Sequence, residues 1–205
     1  YCAIATPPRE PGSTTPQVCA IAGNVVTMLA AGTCSLTADQ AGDGNYNAAP
    51  QLTLDVAISA ATQVITGFTA NPSAPVFAPN GTFALAAVGG ASGNPVTFAS
   101  TTQAVCTVAG NVVTMKSAGT CALTADQAGT NDYLAAPQVA LQVVIGRATP
   151  TLSWLGEMSR VVGVAAFDLP DPGSDSRGAF TFTSSNPAVA TVSGRRVTIV
   201  GAGVT

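Results

Sequence analysis

Apolar and polar side chains alternate with a period of two along much of this chain, and no segment sustains a helical period. Between Gln51 and Ile58, the residues Leu52, Leu54, Val56 and Ile58 fall on one face and Thr53 and Asp55 on the other, as in a half-buried strand. The same pattern predicts a short strand from Val18, a Gly23-Asn24 turn, and a strand over Val25–Met28. A turn at Gly32, a strand over Cys34–Ala38 and a loop through Gly42 and Tyr46 follow. Further strands are expected at Thr62–Phe68, Thr82–Val88 and Pro95–Ser100. They are separated by proline-rich breaks and by Gly89-Gly90-Ala91-Ser92-Gly93, which reads as flexible. In the last part, strands are expected at Thr151–Leu155, near Arg160–Phe167, and at Phe180–Ser184, Ala188–Val192 and Arg195–Val200. A Gly/Pro-rich acidic loop from Asp168 to Gly178 interrupts them.

The pattern repeats. Val18 to Ile58 matches Val105 to Ile145 without a gap at an offset of 87, and 28 of the 41 positions are identical. A third, more distant copy aligns Thr183–Gly194 with Ala99–Gly110 at an offset of 84. Self-similarity at a fixed period marks a tandem array. The chain therefore divides into the back part of one module (1–61), a complete module (62–146) and the front part of another (147–205). The complete module offers seven strands in about 85 residues with turn signals every 8 to 12 residues, the count and spacing of an antiparallel β-sandwich of immunoglobulin-like type. The fold class expected is all-β, tandem immunoglobulin-like sandwiches. About one residue, Gly146, separates the second and third modules, which favours a stiff rod.

Composition narrows the function. Charged residues make up 8%, and the net charge is −3 with a single lysine, Lys116, which argues against an electrostatic nucleic-acid footprint. No apolar run approaches the ~18 residues of a membrane-spanning helix, so no membrane insertion is expected of this segment. The chain opens inside a repeat, and any targeting segment is expected outside it. There is no histidine, which removes histidine-based nucleophile activation and most catalytic zinc sites. No cofactor and no catalysis are expected.

Five cysteines need an arrangement. Cys19 and Cys34 stand 15 apart, as do Cys106 and Cys121. In the third copy Ala190 and Thr205 occupy the two positions, so both members are lost together, as bonded partners would be. The alternative is two buried free thiols in each module. A bridged loop of this size stabilises its module by roughly 3 kcal/mol and implies an oxidising compartment. Cys2 is left over, as an orphan or an intermolecular partner.

Three features carry candidate chemistry. Asp39 and Asp126 open twin loops that could supply oxygen ligands to calcium, or could hold loop backbone at a strand end. Tyr46 and Tyr133 recur before the last strand and read as packing at a sandwich corner. In the third module, Asp171 and Arg177 lie in a charged loop that could dock a partner or simply be solvated, and Trp154 either anchors an interface or packs in the core.

The segment Thr183-Ser-Ser-Asn-Pro-Ala-Val-Ala-Thr-Val-Ser-Gly194, with Val197-Thr-Ile-Val-Gly-Ala-Gly203, resembles the bacterial Ig-like repeats of invasin- and intimin-type surface proteins. The cysteine-containing cassette resembles a Cys-paired variant of large exported repeat proteins. The resemblance implies an extracellular or cell-surface stalk or adhesin without intrinsic catalysis, whose partners are neighbouring repeats of its own chain. It carries no binding residue across. Recognition of a glycan or host surface protein through the third module is a second reading. The incomplete end modules suggest a third, a filament whose copies complete one another by strand exchange.

Overall fold

The computed structural model describes residues 12–153 and 156–205. It is all-β, with no helix among the described residues, and its two compact units are Tyr1–Arg147 and Ala148–Thr205.

In the first unit, the strands nearest the N-terminus are β1 (Gly12–Ser13), β2 (Cys19–Ala22), β3 (Val25–Met28), β4 (Gly32–Ala38) and β5 (Leu52–Ile58). They are followed by β6 (Thr66–Asn71), β7 (Thr82–Val88), β8 (Val96–Ser100), β9 (Cys106–Ala109), β10 (Val112–Met115), β11 (Gly119–Gln127) and β12 (Val139–Ile145). The seven strands β6–β12 form two antiparallel sheets, ordered β6-β7-β10-β9 and β12-β11-β8. That is the strand order of a constant-type immunoglobulin sandwich. Alternation along each strand sends Phe83, Leu85, Val113, Met115, Leu123, Val143 and Ile145 inward to one core.

The β9–β10 hairpin shows how locally this is dictated. Its loop is Gly110-Asn111, with Gly110 at φ 58° and Ala109 paired with Val112. A two-residue hairpin whose first loop position alone needs positive φ demands glycine there and little at the second. The β2–β3 loop repeats it with Gly23 at φ 60°. In the third copy, the loop glycine is Gly194, also at φ 60°, and Arg195 replaces the asparagine.

β6 begins at Thr66, later than the expected Thr62, and carries a bulge between Thr66 and Thr69 at Gly67 (φ 64°). Residues just before it are engaged otherwise: the buried Gln63 amide donates to the Ala128 and Leu134 carbonyls. Nor is Gly89–Gly93 loose. Gln63 Oε1 accepts from Ser92 N–H, while Gln127 Oε1 accepts from Gly90 N–H and its amide donates to the Asn94 carbonyl. A Cβ at Gly89 or Gly90 would stand 2.6 Å from these glutamine side chains, so the glycines serve close approach rather than flexibility.

β1–β5 reproduce β8–β12 at the same offset: β1-β4-β5 form one sheet and β2-β3 the edge of the other. No described strand covers β3 as β7 covers β10. Identical residues consequently differ in burial. Val26 is 39% exposed against 0% for Val113, Met28 71% against 5% for Met115, and Val56 41% against 2% for Val143.

The second unit holds β13 (Leu152–Ser153), β14 (Phe167–Asp168), β15 (Gly173–Ser174), β16 (Ala190–Ser193) and β17 (Arg196–Ile199). β14-β17-β16 form a sheet, with Phe167 opposite Val197 as Phe83 is opposite Val113. Two expectations fail here. The strand foreseen near Arg160–Phe167 is confined to Phe167–Asp168, because a turn with Gly163 at φ 90° occupies the earlier residues. Phe180–Ser184 is not a strand at all. Its counterpart β8 is held by β11, and no such partner exists among the described residues of this unit; an extended backbone without ladder bonds has nothing to fix it.

Candidate functional site

The feature built most deliberately is the staple. The structure joins Cys19 to Cys34 and Cys106 to Cys121, with Cα atoms 5.6 and 5.7 Å apart. Each bridge crosses between the two sheets, from β2 to β4 and from β9 to β11, whereas antibody domains link their second and sixth strands. All four sulfurs lie in residues at most 1% exposed. A Ser-Thr-Thr turn precedes each bridge. Ser100 Oγ lies 3.2 Å from Cys106 Sγ and accepts from Thr102 N–H, while Thr102 Oγ1 accepts from Ala122 N–H on β11. Ser13, Thr15 and Ser35 do the same beside Cys19. The repeat is thus longer than the span from Val18 to Ile58: Ser13-Thr14-Thr15 and Ser100-Thr101-Thr102 stand at the same offset, and that identity was the signal available. Where the third copy has Ala190, the position is 1% exposed and stays in the core without sulfur.

The acidic candidates are engaged within the protein. Asp126 receives the Gln138 amide on both oxygens (2.8 and 3.0 Å), and Asp39 receives that of Gln51 (3.1 and 3.0 Å). The partner is a side chain on the following segment rather than loop backbone. No group of three or more His, Cys, Asp or Glu residues gathers among the described residues. Tyr46 does not pack at a corner. It is 76% exposed, whereas Tyr133 is half-buried beside Ala61. No described segment runs alongside Tyr46 in that way.

In the third module, Asp171 pairs with Arg195 at 2.9 Å, and Arg195 also donates to the Leu169 carbonyl. Arg196 approaches Asp168 at 3.9 Å, Arg160 stacks over Phe167, and Asp175 accepts from Thr151. Arg177 forms no ion pair among the described residues and is not brought to Asp171. Trp154 and Cys2 lie outside the described residues.

One open cleft of about 540 Å³ runs beside β7 and β8, lined by Leu85, Val96, Phe98, Asn111 and the glycines of the pinned loop. Its buried polar group, Gln127, is already bonded to loop backbone, so nothing converges on a ligand there.

No family profile and no curated protein matches the chain. Among solved structures it is similar to the crystal structure of the S-layer protein rSbsC(31-844), with 15% identity and a TM-score of 0.28 over 92% of this chain. The chain spans 27% of that protein's length, and a likeness this loose carries no argument.

Proposed function

We propose that the chain is a non-enzymatic structural segment of a bacterial surface protein, a stalk of immunoglobulin-like modules of the kind its sequence resembles. The observation that carries this reading is the cassette built twice, each copy with a buried bridge between its sheets and a three-residue linker, residues 59–61, between β5 and the next module. Such bridges persist in oxidising surroundings, which supports an extracellular location. Load along the chain is resisted by ladder hydrogen bonds, and each staple withholds its loop from extension. Ligand docking by the third module receives less support, since Asp171 is already paired with Arg195 of the β16–β17 hairpin and Arg177 stands apart.

Single-molecule extension tests it. Each stapled module should unfold as a discrete event. Reduction should lengthen each event by about 5 nm, the reach of 15 residues at roughly 3.3–3.6 Å each. A chain that extends without discrete events would end the load-bearing reading. Electron microscopy showing long fibres would favour the filament, and saturable glycan-array binding abolished by Arg177→Ala the adhesin.

A further inference from the structure

The joint between the first two modules is narrow. Linker residue Ala61 lies beside Tyr133 in a parallel bridge, its N–H donating to the Asp132 carbonyl and its carbonyl accepting from Leu134 N–H, both at 2.8 Å. These bonds fasten the linker to the β11–β12 loop, but leave β1–β5 free to turn about residues 58–61. One bond closes that freedom. Ala31 N–H, in the β3–β4 turn of the first module, donates to Asp132 Oδ1 at 2.7 Å. Among the described residues it is the one hydrogen bond between residues 12–58 and 62–147, and neither ion pair lies there.

The twin loops differ in which residue holds the turn and where the acid stands. In the first module, Asp43 Oδ1 accepts the N–H groups of Asn45 (2.7 Å) and Tyr46 (2.9 Å), holding its own turn. In the second, Thr130 stands in that place, and its hydroxyl oxygen accepts from Asp132 and Tyr133, both at 3.2 Å. There the turn is held by a hydroxyl. The acid now sits two residues on, where the first module has Asn45, and faces the neighbouring module.

We infer that Asp132 is the positioning residue of this joint: its carboxylate fixes the angle between the first and second modules. The inference stands whether or not the protein is a surface stalk. Without that bond, two modules joined by so little surface would reorient freely.

Nuclear magnetic resonance of the whole 205-residue chain in a weakly aligning medium reads the angle. In the unaltered protein, residues 12–58 and 62–146 should share one alignment tensor. Asp132→Ala should split it in two and speed exchange of the Ala31 amide about ten-fold, as loss of a charge-assisted bond implies. Asp132→Asn, which keeps an acceptor oxygen, should restore most of the coupling. Ala31→Pro removes the donor from the other side without touching the β11–β12 loop, and should split the tensor equally. Separate tensors in the unaltered protein, a shared tensor in Asp132→Ala, or splitting in Asp132→Ala that Ala31→Pro does not reproduce would each overturn the inference.

Discussion

Val26 and Val113 occupy the same place in the same Gly-Asn-Val-Val-Thr-Met hairpin, one 39% exposed and the other fully buried. Truncating each to alanine compares one side chain with and without the strands that cover it. The change removes two methylene equivalents, worth about 1.6 kcal/mol when fully buried at about 0.8 each. At Val113, the sealed core adds a cavity cost, bringing the loss to about 2.5 kcal/mol. At Val26, about 40% of the surface is already wet and no closed cavity forms, so the loss should be about 1 kcal/mol. β-propensity is itself set by these surroundings, β3 being an edge strand and β10 a central one, so it belongs to the difference being measured. The three methionines, Met28, Met115 and Met158, fall one in each module, so methyl resonances follow each module's urea unfolding separately. With a slope of about 1 kcal/mol per molar urea, Val113→Ala should lower the Met115 midpoint by roughly 1.5 M more than Val26→Ala lowers that of Met28. Equal shifts would refute the claim that the covering strands β6 and β7 hold the second module together.

Replacing Cys106 and Cys121 with alanine should cost the second module about 3 kcal/mol, mostly by freeing its unfolded chain, and reductant should then leave that module's midpoint unchanged. Gln127→Ala strands the Gly90 N–H and Asn94 carbonyl that the buried amide now satisfies, so the module should lose about 1–3 kcal/mol and the Gly90 amide should exchange faster. Both are measured by urea unfolding and amide exchange on the same chain.

The sheets were legible because period-two alternation and a glycine at the first hairpin position are local demands that each strand meets alone. The four cassette strands of the second module form where their first-module twins were expected, except that β11 begins at Gly119, the counterpart of the Gly32 turn, and runs on to Gln127. Reading failed where a strand depends on something far off. Phe180–Ser184 alternates like Val96–Ser100, yet without a β11 beside it the segment forms no ladder. Gly89–Gly93 looked loose because the glutamines that pin it stand 29 and 37 residues away. The joint was illegible for the same reason. Ala31 and Asp132 are 101 residues apart, and nothing local to the β11–β12 loop tells that an acid there meets the neighbouring module.

The twin cassettes separate two roles that a single sandwich would confound. The hairpin valines and methionines are buried only where strands cover them, but the bridges stay at 1% exposure or less in both copies. The sulfur position therefore does not depend on the covering sheet. It is enclosed by its own hairpin, by the strand across from it, and by the Ser-Thr-Thr turn whose hydroxyls crowd the sulfur. Ala190 makes the complementary point, since the position remains buried with no sulfur present. The site is core by geometry, and the bridge adds a constraint on the unfolded chain. That constraint matters most where a module's apolar interior is least closed, as in a small domain that cannot bury enough surface to stand unaided.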